Sequence, residues 1–524
     1  MFSHIGKEPF QLCTSHLCRF TWFHLRGNRF SLELFYFLFI SSLGFLILRS
    51  LDGRTTNFIP RNLDLFYTSV SAATVSSMST VEMEYFSNTQ LVILTILMFI
   101  GGEVFTSMVA HYIRVFFINI SPKNCNVVDP SVCHRDTQHT LMDKIELTDI
   151  KTLESGNSKS DIFCTETFST PKNYTEDLKD RSSKFLGVTV LFYLVFVQFS
   201  GVLSVLIYIN VISSAKSILK HKGLHSITFS IFTIVSTFAN CGFVPTNENM
   251  LIFKEHSGLL LILIPQALFG NTLYPPVLRF SIWAIGKFYK KSEARYLLNN
   301  SKEIGYNHLH SYLNSSLLLI TVLVFIIVQF IFFSSMEWSS GSLLGMNVYQ
   351  KLVGILFQTV NTRHTGESIV DLSTVSSAVM VLFVLMMYLP PYTSFLPVAA
   401  EESCEQGNKR SRKIMENLIF SQQTYLVIFI TLVCITERKQ MVNDPLNFNV
   451  LNIVVEVISA YGNVGFSTGY NCDRRLKRHG GCENKWYGFS GKWSDEGKLV
   501  LIAVMIFGRL KKFNMNGGKS WKVL

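Results

Sequence analysis

Asn240-Cys241-Gly242-Phe243 closes a mildly apolar segment too polar to cross a bilayer, and Asn463-Val464-Gly465-Phe466 closes another of the same make. Two further segments of this kind turn at Thr74-Val75-Ser76-Ser77-Met78 and at Asn361-Thr362-Arg363-His364-Thr365-Gly366-Glu367. The four segments, 63–88, 225–249, 347–367 and 449–470, are each bracketed by more apolar runs. Uncharged runs at 185–215, 258–278, 311–336, 375–400 and 417–436 reach the roughly 20 residues that a bilayer requires. The run 34–48 follows Glu33, and 91–120 is interrupted by Glu103, His111 and Arg114. An eighth run, 499–508, is only ten residues long before Arg509, Lys511 and Lys512. Hydropathy alone would demote it; its place in the alternation restores it.

Lipid cannot satisfy free amide and carbonyl groups, so non-helical backbone at membrane depth must be buried in protein or line water. One such segment could lie on the membrane surface as an amphipathic loop. Four in register with eight spans instead imply an aqueous pathway, and the expected fold is an all-α polytopic membrane protein. It comprises four membrane-pore-membrane repeats, with eight transmembrane helices and four re-entrant pore segments around one central pore. The repeats are placed at 31–120, 184–292, 311–400 and 416–513. An even number of spans puts both termini on one side, and the Lys and Arg bias makes that side cytoplasmic, although Lys216 to Lys222 and Arg474 to Arg478 run against it. The N-terminus 1–30, the linkers 121–183, 293–310 and 401–415, and the C-terminus 514–524 are then cytoplasmic. The polar stretch 121–183 lacks periodicity and is expected to be flexible.

Composition agrees. Of 524 residues only 16% are charged while 48% are hydrophobic, with 44 Phe, more apolar surface than a single water-soluble core could hide. The net charge of +11, from 47 Lys and Arg against 36 Asp and Glu, is spread over loops and not gathered on one face, which excludes a nucleic-acid partner. The lipid bilayer is the partner that composition requires. The ten cysteines have no Cys-x-x-Cys pair, and Cys125, Cys133 and His134 read as ordinary residues of a polar segment and not as a zinc module.

The turns carry the ion chemistry. A filter that replaces an ion's water shell with carbonyl oxygens needs extended backbone close to the pore axis, and Gly permits this. Ser77, Gly242, Gly366 and Gly465 are the candidate filter residues. A helix ending at each turn would direct its partly negative carbonyl end at the ion, favouring cations. Glu82, Glu84, Glu248, Glu367, Asp371 and Asp473 follow the turns and are candidates for an acidic outer mouth. Lys351, Arg363 and His364 oppose that field and are expected to pair locally with Glu or Asp. Pro265, Pro275, Pro276, Pro390 and Pro391 would interrupt helices. Cys472 and Cys482 flank a basic stretch on the oxidising side and are a candidate disulfide, with free thiols as the alternative.

These motifs resemble the plant high-affinity potassium transporter (HKT) family within the Trk/Ktr/HKT cation transporters. The resemblance covers nearly the whole chain. It is carried by Val75-Ser76-Ser77-Met78-Ser79-Thr80-Val81-Glu82-Met83-Glu84, Gly101-Gly102-Glu103-Val104-Phe105, Cys241-Gly242-Phe243-Val244-Pro245-Thr246-Asn247-Glu248-Asn249, the Asn361 to Glu367 run, and Phe507-Gly508-Arg509-Leu510-Lys511-Lys512-Phe513. It implies one pore per chain, a homodimer in the plasma membrane, and one filter residue per repeat at the four positions named. Ser in the first filter position resembles the sodium-selective subfamily, so the resemblance implies Na+ as the ion held at the filter and moved passively, with no cofactor. A Na+/K+ co-transporting or poorly selective member of the family is the alternative. It further implies that Arg509 lies near the conduction path, where it would act as a pore barrier; snorkelling to a cytoplasmic helix end is the bland alternative. A membrane-embedded enzyme would have to draw on His364 with Glu367 or Asp371, which lack an accompanying nucleophile or metal set.

Overall fold

The computed structural model describes residues 29–54, 59–120, 172–393, 422–475, 482 and 484–514. Cys125, Cys133, His134 and most of the expected terminal and linker segments lie outside the described residues. Among those described the chain is helical, apart from an isolated bridge between Tyr470 and Lys485.

A long helix, a short helix and a second long or broken helix follow one another repeatedly. The first set is α1 (Arg29–Ser50), α2 (Asn62–Ala73) and the broken pair α3 (Asn88–Gly101) and α4 (Glu103–Ile120). The next is α5 (Lys172–Val211), α6 (Ser226–Ala239) and the pair α7 (Ser257–Phe269) and α8 (Tyr274–Tyr289). Then come α9 (Tyr312–Glu337), α10 (Val348–Asn361) and α11 (Ser377–Tyr388), and finally α12 (Gln422–Thr436), α13 (Val450–Gly462) and α14 (Asp495–Asn514). By length and composition, three described helices, α1, α5 and α9, are able to cross a membrane, and five if each broken pair is one span. The α11 and α12 helices are apolar but shorter, and α14 carries charge at both ends.

The two kinds of helix have opposite surroundings. Every residue from Phe232 to Ala239 of α6 is buried, as is every residue from Val455 to Tyr461 of α13. By contrast only 28% of the spanning window is buried in each of α1, α5 and α9. Their outer faces present Phe35, Phe39, Phe192, Phe196 and Phe199, a surface suited to lipid and not to water. The short helices are the core; the long ones wrap it.

Local chemistry sets the helix ends. Ser87 and Gln90 form a capping box at the start of α3, and Gln90 Nε2 also donates to the Leu48 and Leu51 carbonyls at 3.0 and 2.9 Å, tying the end of α1 to the start of α3. Asn347 and Gln350 cap α10 in the same way. The α7–α8 pair bends by 84° where Pro275 and Pro276 open α8, a position that tolerates Pro, while Pro265 is accommodated within α7. The α3–α4 pair bends by 56° at Gly102 without a proline.

The expected flexible linker 121–183 is corrected at its end. Helix α5 begins at Lys172, so 172–183 is continuous with the span that follows. Asp177 and Arg181, one turn apart, pair at 2.7 Å, and a polar composition rich in such pairs supports a helix as well as a coil. The segment 293–310 is likewise packed, with Ala294, Leu297, Ile304, Tyr306 and Leu309 in an apolar cluster.

Candidate ion filter

Each short helix runs directly into one of the turns. Ser76 N donates to Ser71 O at 2.8 Å, Cys241 N to Ser236 O at 2.9 Å, Gly366 N to Asn361 O at 3.1 Å and Val464 N to Ser459 O at 3.0 Å. Each bond reaches five residues back; in the first, second and fourth turns the residue before the donor, Val75, Asn240 or Asn463, is left-handed, whereas in the third the donor Gly366 is itself the left-handed residue. Asn240 and Asn463 cap α6 and α13 with φ of 58° and 49°. Beyond them Ser77, Gly242, Gly366 and Gly465 have φ of 53°, 90°, 68° and 102°. Glycine reaches this region freely; Ser77 carries its side chain there at a steric cost.

The structure brings these four residues together. A Cβ added to Gly242 would overlap the Thr365 carbonyl, one on Gly366 would lie 2.7 Å from Gly465 C, and one on Gly465 would overlap the Ser77 side chain. All four residues line one cavity of about 280 Å³. The carbonyl ends of α2, α6, α10 and α13 therefore lead to a common space, an arrangement that stabilises a cation and repels an anion.

The broken and second helices allow that convergence. A Cβ on Gly101, Gly270 or Gly508 would overlap the carbonyl of Ala73, Phe238 or Tyr461, each four residues before Ser77, Gly242 or Gly465. Two serines that sequence reasoning passed over hold the filter from behind: Gly242 N donates to Ser236 Oγ and Gly465 N to Ser459 Oγ, both at 3.0 Å. Their signal was a serine six residues before Ser77, Gly242 and Gly465, visible once the turns are aligned, with Val360 in that place in the third turn.

The acidic candidates separate. Glu248 and Asp371 line the cavity mouth; Glu82, Glu84, Glu367 and Asp473 do not. Glu367 is a correction. It is fully buried and accepts from Thr237 Oγ1 at 2.5 Å, because the backbone beyond Gly366 carries it back against α6. Glu82 accepts from Trp486 N at 3.3 Å, and Asp473 stands exposed near the Cys472–Cys482 bond, which is formed, with Cα atoms 5.9 Å apart. Glu84 and Glu248 share Lys222, whose Nζ is 2.8 Å from Glu84 Oε1 and 2.6 and 2.7 Å from the two oxygens of Glu248. Burial acts to lower the Lys222 pKa, but the bonds to Glu248 and Glu84 outweigh it and raise the pKa, so the ammonium stays charged.

The expected local ion pairs of the third turn are also corrected. Lys351 donates to the Trp338 carbonyl at 2.8 Å, and Arg363 to the Pro390 and Pro391 carbonyls, so helix-end carbonyls take the place of carboxylates. His364 bonds the Thr272 hydroxyl at 2.8 Å and the Val360 carbonyl at 2.6 Å. Arg509 is 1% exposed, donates to the Gly101 carbonyl at the α3–α4 break and lies 5.7 Å from the centre of the Phe37 ring. A buried guanidinium in this position is not snorkelling.

Such a ring of pore-helix ends within a helical membrane protein defines a cation transporter. The TrkH family, described as cation transport protein, matches residues 165–396 and 406–515. Cation transporter HKT1;3 of Oryza sativa subsp. japonica is 48% identical over 505 residues, covering 96% of this chain and 92% of that protein. Sodium transporter HKT1 of Arabidopsis thaliana is 49% identical over 478 residues, covering 89% and 90%. Cation transporter HKT2;4 of the same rice is 36% identical, covering 96% of each. The chain belongs to the TrkH family of cation transport proteins, in its plant HKT branch. It is a multi-pass membrane transporter and not an enzyme.

Proposed function

We propose that this transporter is sodium-selective and channel-like, moving Na+ passively down its electrochemical gradient across the plasma membrane. The observation that carries the reading is the ring itself, in which three positions are glycine and the fourth, Ser77, puts its side chain against Gly465. A backbone wall that bears a side chain narrows the space available to a dehydrated ion and changes the field that its carbonyls present. The smaller Na+ tolerates that wall better than K+. A relative named a sodium transporter supports the choice of ion.

In this reading the chain crosses the membrane eight times in four repeats, both termini are cytoplasmic, and each protomer of a homodimer has its own pore. Ser77, Gly242, Gly366 and Gly465 coordinate the passing ion, Glu248 and Asp371 draw cations to the outer mouth, and Arg509 raises an electrostatic barrier on the cytoplasmic side of the filter. The test is current recording from cells expressing the chain, with external Na+ and K+ varied independently. The reversal potential is expected to follow Na+ and to ignore K+. A reversal potential that follows both ions assigns the chain to the co-transporting alternative, and absence of cation current at full surface expression overturns the reading.

A further inference from the structure

The mouth of the cavity contains a charge arrangement that the filter does not explain. Lys222 caps the short helix Ser213–His221, ahead of α6, and its backbone carbonyl accepts from Arg54 Nη1 at 2.8 Å. Its ammonium lies between two carboxylates from different parts of the chain, Glu84 after the first turn and Glu248 after the second. The same two loops are laced together around it: Glu84 N donates to Asn247 Oδ1 at 2.9 Å and Asn247 N to Glu84 Oε1 at 3.1 Å. Lys222 is 20% exposed and each carboxylate 23%, so the trio sits at the water boundary. Of the three, Glu248 lines the cavity, together with the charged residues Asp371 and Lys485.

We infer that Lys222 is a tethered cation that sets how strongly the outer mouth attracts external Na+, by holding Glu84 and Glu248 away from the entering ion. The inference rests on the reading of the cavity as the outer end of a cation pore. Two carboxylates facing a mouth would raise the local cation concentration, and an ammonium bonded to both cancels half of that field. The trio thus trades conductance in dilute Na+ for insensitivity to the ionic strength outside.

The experiment compares inward Na+ current in low external Na+, at low and at high total ionic strength, in wild type, Lys222→Gln, Lys222→Arg, Glu248→Gln and the double variant Lys222→Gln with Glu248→Gln, each normalised to surface expression. Lys222→Gln is expected to raise the low-salt current roughly two- to tenfold, and the gain should fade as the Debye length shrinks from about 30 Å to about 8 Å. Glu248→Gln should lower the current, Lys222→Arg should keep the wild-type salt dependence, and the double variant should return towards wild type. A purely structural clamp makes the opposite forecast, since the double variant would then be the most impaired. The inference is overturned if the Lys222→Gln current is unchanged or reduced at low ionic strength, if its gain persists undiminished at high ionic strength, or if Glu248→Gln leaves the salt dependence as it was. Should Lys222→Gln fail to reach the surface, the Glu248→Gln result decides. A wild type without Na+ current defeats the underlying reading instead, an outcome distinct from all of these.

Discussion

The first turn and the fourth meet at the ring, yet they are held in different ways. In the fourth, Gly465 N is bonded by Ser459 Oγ from its own helix. In the first, the equivalent Ser71 Oγ makes no hydrogen bond among the described residues, and the turn is braced instead from its neighbour, Asn463 Nδ2 donating to Ser76 Oγ at 2.7 Å and to the Met505 carbonyl at 3.1 Å. The second turn follows the fourth, with Ser236 in the supporting place. The third has its own device, Gln358 Oε1 accepting from Ser368 Oγ and Ile369 N. The four turns thus converge on one cavity while differing in their supports. The wall that carries the side chain, Ser77, takes from the fourth repeat the brace that the second and fourth walls take from a serine of their own helix.

If the glycine walls are as tightly packed as this comparison requires, filling one should have the largest effect. Gly242→Arg and Gly465→Arg are expected to abolish cation flux while some protein still reaches the membrane. At Gly242 even a Cβ overlaps the Thr365 carbonyl, and at Gly465 it overlaps Ser77. Flux assays with surface labelling check this, and normal flux in either variant would remove that position from the ring.

Next in size is the change at the odd wall. Ser77→Gly relieves a side chain from a left-handed backbone and makes the ring chemically uniform. The K+ to Na+ permeability ratio is expected to rise by at least about tenfold, or ~1.4 kcal/mol, with total current less affected. A Ser77→Gly variant that keeps full Na+ preference with robust current would place discrimination elsewhere.

Much of this was legible in the sequence because the repeating unit is defined by two signals at once, an apolar run and a small-residue turn. The four candidate filter residues were chosen from that grammar, and the structure brings them to one cavity. Glu367 was misread because proximity in sequence to a turn says nothing about which way the chain leaves it; here the backbone returns the carboxylate to Thr237. The Lys222 node was hidden for a related reason, since Glu84 and Glu248 meet only when two loops from separate repeats fold side by side. The helical start of α5 was lost because charged residues spaced one turn apart look, by composition, like a linker.

Arg509 probes the opposite side of the same contact between the first and last repeats, since it donates to Gly101 while Gly508 packs on Tyr461. Arg509→Gln is expected to raise inward cation current several-fold if the guanidinium field reaches the pathway. Current-voltage curves at matched expression check this. Unchanged current would make Arg509 a structural tie between α14 and the α3–α4 break.

The smallest effect is the most direct test of the comparison between supports. Ser459→Ala leaves the Gly465 amide without its hydroxyl acceptor, and Ser236→Ala does the same for Gly242. Each is expected to cost about 1 kcal/mol of stability, seen as a lower melting temperature of the detergent-solubilised protein, with a modest loss of conductance. Ser71→Ala removes a hydroxyl that bonds nothing, so its cost should be smaller than either. Asn463→Ala should instead affect the first turn through Ser76, moving selectivity more than Ser71→Ala does although it lies in a different repeat. Equal effects of Ser71→Ala and Ser459→Ala would mean that the two turns are supported alike, and the contrast between them would fall. If the ranking holds, the Ser77 wall is controlled by the fourth repeat, because among the described residues the polar brace given to the Ser76 hydroxyl from outside its own turn comes from Asn463.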